Sequence, residues 1–285
     1  LTKDRTNQVP YPKPSNYDPH EYELLANYIH GFMQHYSRVP RFNELTLQVG
    51  IPNHKTDFNN MGPFSTDYIG KDWAFPNASY AERKIIWQDH VNYTKGFFYF
   101  LAHDPQVPAQ LRKEVNEWGL AKDEFTDTDH WPPQLYIRES RRMIGEYVMT
   151  QKDLQMERNK TDAIGMGSYN IDSHNFERVA MPDGSVQNEG DTEVPVQPYQ
   201  IPYRILLPRR EQASNLLVPV CVSASHVGYS SLRMEPQYMI IGQAAGVSAA
   251  LATTTPFDLQ ALATQQLQHH LREGGAILHL DQQAS

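Results

Sequence analysis

The sequence has little cysteine, no cluster of basic residues and no long apolar run. Its 285 residues include one cysteine, Cys221, which excludes an internal disulfide and a metal cluster held by cysteines. The formal net charge is −8, which argues against a nucleic-acid-binding groove. No stretch of about 18 apolar residues is present, so no membrane-spanning helix is predicted. No signal peptide is visible, and the sequence leaves open whether the protein is cytoplasmic or exported.

The residues that are present fit a globular protein. Hydrophobic residues make up 40% and charged residues 20% of the chain, so a sizeable core can form. The sequence begins at Leu1, and a polar stretch with several prolines follows. Natural chains rarely begin in this way, and we therefore expect that an N-terminal portion is missing.

The first half of the chain reads mainly as helices. Residues 19–36 carry apolar side chains at helical spacing. A second helix is predicted from Ser79, where Glu82 completes a capping box, to just before Pro105. We also predict a strand at 45–52, a polar loop at 53–70, a helix at 107–118 that ends at Gly119, and a helical or strand-to-helix segment at 133–154.

The later part of the chain changes to strands and then returns to helices. Residues 163–189 carry β-type residues around a turn signal at Asp183-Gly184. Further strands are predicted at 199–207, with a break at Pro202, and at 215–222; helices are predicted at 234–252 and 258–272. The pattern predicts a mixed α/β (α+β) fold.

The helix predicted at 234–252 begins in a way that suits a ligand. Pro236 lies in its first turn, and the free backbone N–H groups there give a partial positive charge that attracts anionic or electron-rich groups. Gly242 and Gly246 share one face of this helix with small alanines, which allows a strand or a flat ligand to approach closely. Tight packing against a sheet, without any ligand, is the alternative.

Long blocks of the sequence resemble FAD-dependent oxidoreductases of the two-dinucleotide-fold type. The blocks are "HKTDFNNMGPFSTDYIG", "YAERKIIWQDHVNYTKGFFYFLAHDP", "WGLAKDEFTDTDHWPPQLYIRESRRMIGEYVMTQKD", "GMGSYNIDSHN", "NLLVPVCVSASH" and "SSLRMEPQYMIIGQAAGVSAALA". The resemblance covers nearly the whole chain from about residue 45. The chain is similar in particular to the bacterial subfamily that is called xanthan-lyase-like.

This resemblance implies a domain division and a cofactor site. Residues 1–210 would form a substrate or cap domain, helical to about 160 and then β-rich, and residues 211–285 the C-terminal strand–helix segment of a Rossmann-like flavin-binding domain. In such folds the helix after the last strand directs its N-terminus at the flavin and stabilises negative charge on the reduced ring. The residues that would then edge the FAD are Ser231, Leu232, Arg233, Met234 and Glu235.

One motif that the resemblance requires is absent. A dinucleotide fold needs a G-x-G-x-x-G turn after its first strand, and this spacing does not occur in the sequence. The "GMG" at 165–167 lacks the third glycine. We therefore expect FAD binding to be incomplete without a further N-terminal segment, a partner segment or another subunit of a homo-oligomer, unless the chain is a degenerate relative that no longer binds FAD.

Two histidines are candidate catalytic residues. The resemblance places His226 near the flavin, where it would act as an acid or base or orient the substrate; a loop histidine bonded to backbone is the alternative. Asp172, Ser173 and His174 are adjacent and cannot form a nucleophilic triad, because neighbours on a strand point to opposite faces. His174 is expected instead in a second polar wall of the substrate pocket or at a strand end.

Several polar residues are candidates for substrate binding. His54, Lys55, Asn59 and Asn60 offer hydrogen-bonding groups that suit a sugar, and Arg138 could bind a carboxylate; a solvated loop and surface charge are the alternatives. The carboxylates of residues 123–130 lack the spacing of a calcium loop. No metal site is therefore predicted.

Three functions compete for these observations. The first is part of an FAD-dependent oxidoreductase that transfers a hydride from an organic, glycan-derived or other small-molecule substrate to flavin. The second is a non-catalytic binding or structural relative that has lost the nucleotide-binding half. The third is a polysaccharide lyase, which does not explain a helix of the flavin-binding type.

Overall fold

The computed structural model describes residues 1–253 and 258–280 of the chain. The described residues form seven α-helices: α1 (Glu23–Tyr36), α2 (Tyr80–His103), α3 (Ala109–Val115), α4 (Gln151–Gln155), α5 (His226–Leu232), α6 (Glu235–Ala252) and α7 (Thr264–Glu273). They also form ten short strands: β1 (Gln8–Val9), β2 (Thr46–Ile51), β3 (Lys55–Asn60), β4 (Leu120–Ala121), β5 (Ala163–Gly167), β6 (Ile171–Ser173), β7 (Glu177–Ala180), β8 (Val186–Glu189), β9 (Thr192–Val194) and β10 (Tyr199–Pro202). The predicted mixed α/β class is confirmed.

All the sheets of the described residues are two-stranded. β1 pairs with β4, β2 with β3, β5 with β10, β6 with β9, and β7 with β8. The first four of these pairs are antiparallel. The open parallel sheet of a complete nucleotide-binding fold is not among the sheets of the described residues.

The chain divides into two compact units. The first unit comprises residues 1–136 and 177–188, and the second comprises residues 137–176 together with the described residues from 189 onward. This division differs from the predicted division into 1–210 and 211–285. The reason is packing: α6 contacts β5 and α5 contacts β6. Because β5 pairs with β10 and β6 with β9, all four strands belong to the same unit as these helices.

Aromatic side chains build the core of the first unit around α1 and α2. Phe97 and Phe100 are fully buried, and the Tyr22 hydroxyl donates to the Tyr93 carbonyl at 2.9 Å. The predicted capping box is present. Ser79 Oγ accepts from the Glu82 N–H at 3.3 Å, and the Glu82 carboxylate accepts from the Ser79 N–H at 2.7 Å.

Two predictions for the first unit are wrong. The residues predicted as a polar loop contain β3, which pairs with β2 across a turn in which Asn53 and His54 adopt positive φ values of 64° and 56°. β3 is polar apart from Phe58, so it lacks the apolar alternation that indicates a strand. The helix α3 ends at Val115, and Gly119 instead exchanges backbone bonds of 2.9 and 3.1 Å with Thr2.

In the second unit, α6 packs against β5. Ile241 and Ala244 of the helix are fully buried, and a Cβ added to Gly165 of β5 would lie 2.2 Å from Ile240 Cγ2. The glycine that permits close contact therefore lies on the strand. A Cβ added to Gly242 or Gly246 would meet no atom within 4 Å, so the glycine face of α6 makes no close contact within the described residues. No described helix is long and apolar enough to span a bilayer.

Three segments of the second unit differ from their predicted structure. Residues 215–222 form no strand; Pro219 interrupts them, and Leu216 and Val220 are about half exposed. Residues 137–150 are irregular and run beside 221–224, where the Met149 N–H donates to the Ser223 carbonyl at 3.0 Å. Residues 226–232, for which the sequence predicts no helix, form α5, and Ser225 is its N-cap.

Candidate active site in the second unit

The candidate site is centred on His226, the first residue of α5. Ser225 precedes it as the N-cap, and the Ser225 hydroxyl accepts from the Gly228 N–H at 3.1 Å. This cap is the usual device for starting a helix at a serine. It fixes the backbone at His226, so that the position of the imidazole depends on the side chain's own contacts.

Both ring nitrogens of His226 have a partner. Nδ1 lies 2.5 Å from Glu139 Oε2, and Nε2 lies 3.4 Å from the hydroxyl of Ser173 on β6. A carboxylate can only accept hydrogen bonds, so Nδ1 is the protonated nitrogen of the neutral ring. Nε2 is then the basic nitrogen, and its bond from Ser173 is long.

The side chains of His226 and Glu139 are buried to different degrees. The His226 side chain is 52% exposed, whereas the Glu139 side chain is 14% exposed. Arg142 lies 3.4 Å from the same Glu139 oxygen and balances its charge. His226 is thus half exposed, and the Glu139 carboxylate that binds it is mostly buried. A general base must be reachable by a substrate that enters from solvent, and this arrangement meets that requirement.

A second, more buried ion pair lies on the other face of β6. Arg233 donates from Nη2 to the Asp172 carbonyl at 2.9 Å and to Asp172 Oδ2 at 3.0 Å, and its side chain is 2% exposed. Asp172 and Ser173 thus have different partners, as the alternation of a strand requires. Burial, and next the charge of Asp172, raises the pKa of the Tyr169 phenol that donates to Asp172.

The N-terminus of α6 is open to a ligand. Met234 is the N-cap and gives no side-chain hydrogen bond to the helix, and Pro236 lies in the first turn. Next to it, Arg233 Nε is buried without a hydrogen-bond partner. An uncapped helix start and an unsatisfied guanidinium N–H both suit an electron-rich carbonyl or an anion. Both donors would suit the carbonyl-bearing edge of an isoalloxazine ring.

The other predicted cofactor residues lie differently. The Ser231 and Leu232 side chains are fully buried. Ser231 Oγ donates to the Tyr169 carbonyl and lies 2.7 Å from the Tyr199 hydroxyl. Burial raises the pKa of that tyrosine to about 12. The side chains of Ser231 and Leu232 support the site from the core, whereas Glu235 is exposed in the first turn of α6.

The remaining predicted site residues are spread over both units. His174 follows β6 and Arg138 lies in the irregular segment of the second unit, and both are half-buried. His54, Lys55, Asn59 and Asn60 lie in the first unit, on or beside β3. Their roles stay predictions.

Lys55 already has partners of its own. Its Nζ hydrogen-bonds Glu124 and lies 2.9 Å from Asp123 Oδ2. The Glu124 hydrogen bond, followed by that of Asp123, raises the pKa of the lysine. Both carboxylates belong to the acidic stretch 123–130. Among the described residues, no group of three or more side chains that could hold a metal ion occurs.

Sequence reasoning missed Glu139 and Ser173 as partners of His226. Glu139 precedes His226 by 87 residues and lies in a segment without regular structure, so no local pattern connects the two. The adjacent polar residues 172–174 drew attention to Ser173. However, the sequence does not show which of the three side chains faces His226.

Comparison with known proteins identifies the family of the chain. The model of the family described as FAD dependent oxidoreductase matches residues 1–271. The chain belongs to this family. Comparisons with curated proteins and with solved structures gave no significant match. The family supports a flavin-linked redox role for the chain, and the open start of α6 agrees with it.

The glycines of this FAD dependent oxidoreductase chain include one closely spaced pair. Its only closely spaced glycine pair of the G-x-G type, Gly165 and Gly167, lies within β5 and pairs with β10. Gly165 is covered by Ile240, and a Cβ on Gly167 would lie 2.7 Å from the Tyr199 ring. These glycines serve packing and do not form a phosphate-binding turn.

Proposed function

We propose that this chain is the substrate-facing part of a flavoenzyme that oxidises an alcohol. When bound, the flavin accepts a hydride from the substrate carbon. Loss of that hydride from an alcohol is accompanied by loss of the hydroxyl proton, and a carbonyl is formed. His226 takes this proton on Nε2. The observation that carries the proposal is the half-exposed His226 ring, with Nδ1 bound to Glu139 and Nε2 directed away from it.

The start of α6 provides the electrostatic half of the proposal. The free N–H groups of its first turn and the unpartnered Nε–H of Arg233 would donate to the negative charge that develops on a reduced flavin, while Asp172 balances the charge of the guanidinium. Met234 and Glu235 supply backbone there, and Ser231 and Leu232 hold it in place from the core.

The substrate class is part of the same proposal. Within the second unit, Arg138 would bind a carboxylate on an acidic sugar, and His174 would line the pocket beside it. Within the first unit, the hydrogen-bonding groups on or beside β3, His54, Lys55, Asn59 and Asn60, suit a sugar. The sequence blocks quoted above support membership in the xanthan-lyase-like subfamily, which fits a substrate derived from a glycan.

A glycine-rich segment from outside this chain would complete the FAD site. The sequence has no G-x-G-x-x-G turn, and the glycine face of α6 is open at Gly242 and Gly246. A further part of the polypeptide, a partner segment or a second subunit would supply the phosphate-binding turn.

The cofactor is tested by the visible absorption of the purified protein and by its bleaching with dithionite. The variant Met234→Asp sharpens the test, because an aspartate N-cap competes for the free N–H groups of α6 and adds a negative charge. We expect flavin to bind about tenfold more weakly, or about 1.4 kcal/mol, while the helix itself becomes more stable.

Met239→Asp is the matched control. Met239 lies on the same helix, and its side chain is 73% exposed, so the same charge is added away from the helix start. We expect unchanged flavin affinity. Equal effects of the two variants would show that flavin does not contact the start of α6. A protein that never binds flavin, although it is purified with the segment or subunit that carries the phosphate-binding turn, would support the non-catalytic relative instead.

A further inference from the structure

The two ring nitrogens of His226 have different partners and therefore different chemical roles. A histidine acts as a base through one nitrogen only, and the hydrogen bond made by the other nitrogen decides which one that is. In the second unit, Nδ1 faces Glu139 at 2.5 Å. The Nε2 atom faces Ser173 Oγ at 3.4 Å, a contact long enough for a better donor to replace it.

We propose that Glu139 is the positioning residue of this site: it holds His226 in the Nδ1–H tautomer, so that Nε2 accepts the proton of a substrate hydroxyl. The proposal rests on the proposed function, because it names the group that prepares the base for alcohol oxidation. The substrate hydroxyl takes the place of Ser173 as the donor to Nε2. Ser173 Oγ then remains beside the same hydroxyl as a second hydrogen-bonding partner.

The burial of the three residues supports this assignment. Glu139 is shielded, with 14% of its side chain exposed, and Arg142 contacts the same oxygen. Because little of the Glu139 carboxylate is exposed, water has little access to replace His226 as its hydrogen-bond partner. His226 is 52% exposed, so a substrate can reach Nε2 without displacing the acid.

A serine nucleophile is the competing explanation of the same three residues. Ser173 contacts His226, and His226 contacts Glu139, which is the serine–histidine–carboxylate arrangement of a hydrolase triad. However, Ser173 is 6% exposed and lies within β6, where it pairs with Thr192 of β9. A hydrolase nucleophile is instead presented on an exposed turn next to oxyanion donors. The geometry therefore favours Ser173 as a hydrogen-bonding partner.

The test is the tautomer of His226, measured by long-range ¹H–¹⁵N NMR of the neutral imidazole in the full protein. The chain has 12 histidines, and the His226→Ala variant assigns the signal. We expect the Nδ1–H form in the natural protein and the Nε2–H form in Glu139→Gln, because the amide can donate to Nδ1. Glu146→Gln is the matched control. Glu146 is an exposed glutamate of the same segment that accepts from the Arg210 N–H, so its replacement should leave the tautomer unchanged.

The rate of flavin reduction gives a second readout. We expect Glu139→Gln to slow reduction by about 10²- to 10⁴-fold, as a base in the wrong tautomer does, and Glu146→Gln to have no effect. An Nε2–H tautomer in the natural protein, or a tautomer that Glu139→Gln does not change, overturns the proposal. So does labelling of Ser173 by a fluorophosphonate, which would identify a nucleophile. The tautomer is measured without flavin, so failure to bind or reduce flavin counts against the proposed function alone.

Discussion

The hydrophobic cores of the two units differ in composition. The core of the first unit is rich in aromatic rings: Tyr11, Tyr22, Phe42, Phe64, Tyr93, Phe97, Phe98 and Phe100. The core of the second unit is mainly aliphatic, and shielded polar side chains there have polar partners: Asp153 pairs with Lys160, Arg233 with Asp172, and Ser231 with Tyr199. The first unit is therefore held mainly by packing and has Lys55 as a buried charged residue, whereas the second buries Asp153, Asp162 and Arg233. The contrast explains why the candidate chemistry is found in the second unit, since perturbed and prepared polar groups are typical of active sites.

The units can be observed separately. All four tryptophans, Trp73, Trp87, Trp118 and Trp131, lie in the first unit, so tryptophan fluorescence reports on that unit. Hydrogen exchange of peptides from residues 149–167 and 199–206 reports on the second. The predictions below use these two probes.

The largest effect is expected from Phe97→Ala in the first unit. Phe97 is fully buried, and its ring lies 5.3 Å from that of Phe98. Truncation should lower the free energy of unfolding by about 4 kcal/mol through lost burial and a cavity. Urea unfolding followed by tryptophan fluorescence measures it. Ile85→Ala, at a 62% exposed position of the same helix, should change stability by less than about 0.5 kcal/mol. Similar losses for both variants would contradict an aromatic core around Phe97.

The next effect is expected from Lys160→Met in the second unit. Lys160 Nζ lies 2.6 Å from Asp153 Oδ1, and both side chains are about 5% exposed or less. Removal of the lysine leaves a buried carboxylate without its ion-pair partner, which should cost about 3 kcal/mol. Hydrogen exchange of residues 149–167 should become faster. Lys152→Met, at an exposed position of α4, should leave exchange unchanged, and faster exchange in both variants would reject a special role for Lys160.

A smaller effect is expected at the start of α2. Ser79→Ala removes the hydroxyl that caps the helix and should lower the stability of the first unit by about 1 kcal/mol. Ser79→Asp keeps an accepting oxygen and should restore the stability. If the aspartate variant is as unstable as the alanine variant, the hydroxyl does not act as a cap.

The smallest effect is the loss of the stability contributed by Glu44 at low pH. Hydrogen bonds from Arg38, and next from the Arg41 N–H, lower the pKa of Glu44 to about 2 from a normal value of 4.5. A carboxyl with a lowered folded-state pKa contributes stability above pH 4.5, and this contribution is lost as the pH falls from 4.5 to about 2. The pair is partly exposed, at 48% and 31%, so less than about 1 kcal/mol is expected. Glu44→Gln should flatten this part of the pH profile of urea unfolding, and an unchanged profile would exclude the contribution.

The sequence predicted the elements that carry a local signal. The capping box of α2, the apolar spacing of α1 and the proline at the start of α6 each lie within one element, and these helices are confirmed within a few residues. The last helix was also predicted, and it ends before Gly274 as α7. The polar strand β3, the helix α5 and the irregular segment 137–150 depend on contacts with distant residues, which no local pattern records.

The candidate site divides in the same way. His226 and the start of α6 were found from local composition and resemblance, whereas Glu139 and Ser173 approach His226 from 87 and 53 residues away in the sequence. The sequence alone suggested close packing along Gly242 and Gly246, but the structure shows the close approach at Gly165. A pattern of glycines indicates that another group has room to come close to the backbone, but it does not identify that group.

The most direct test of the account is the anaerobic reduction of protein-bound flavin by a panel of sugar alcohols and acidic sugars. The rate constant is compared between the natural protein and His226→Ala, with flavin content checked by absorption in both. The account predicts that both proteins hold flavin and that the variant is reduced about 10²- to 10⁴-fold more slowly. Equal rate constants for a substrate that reduces the natural protein would contradict the account.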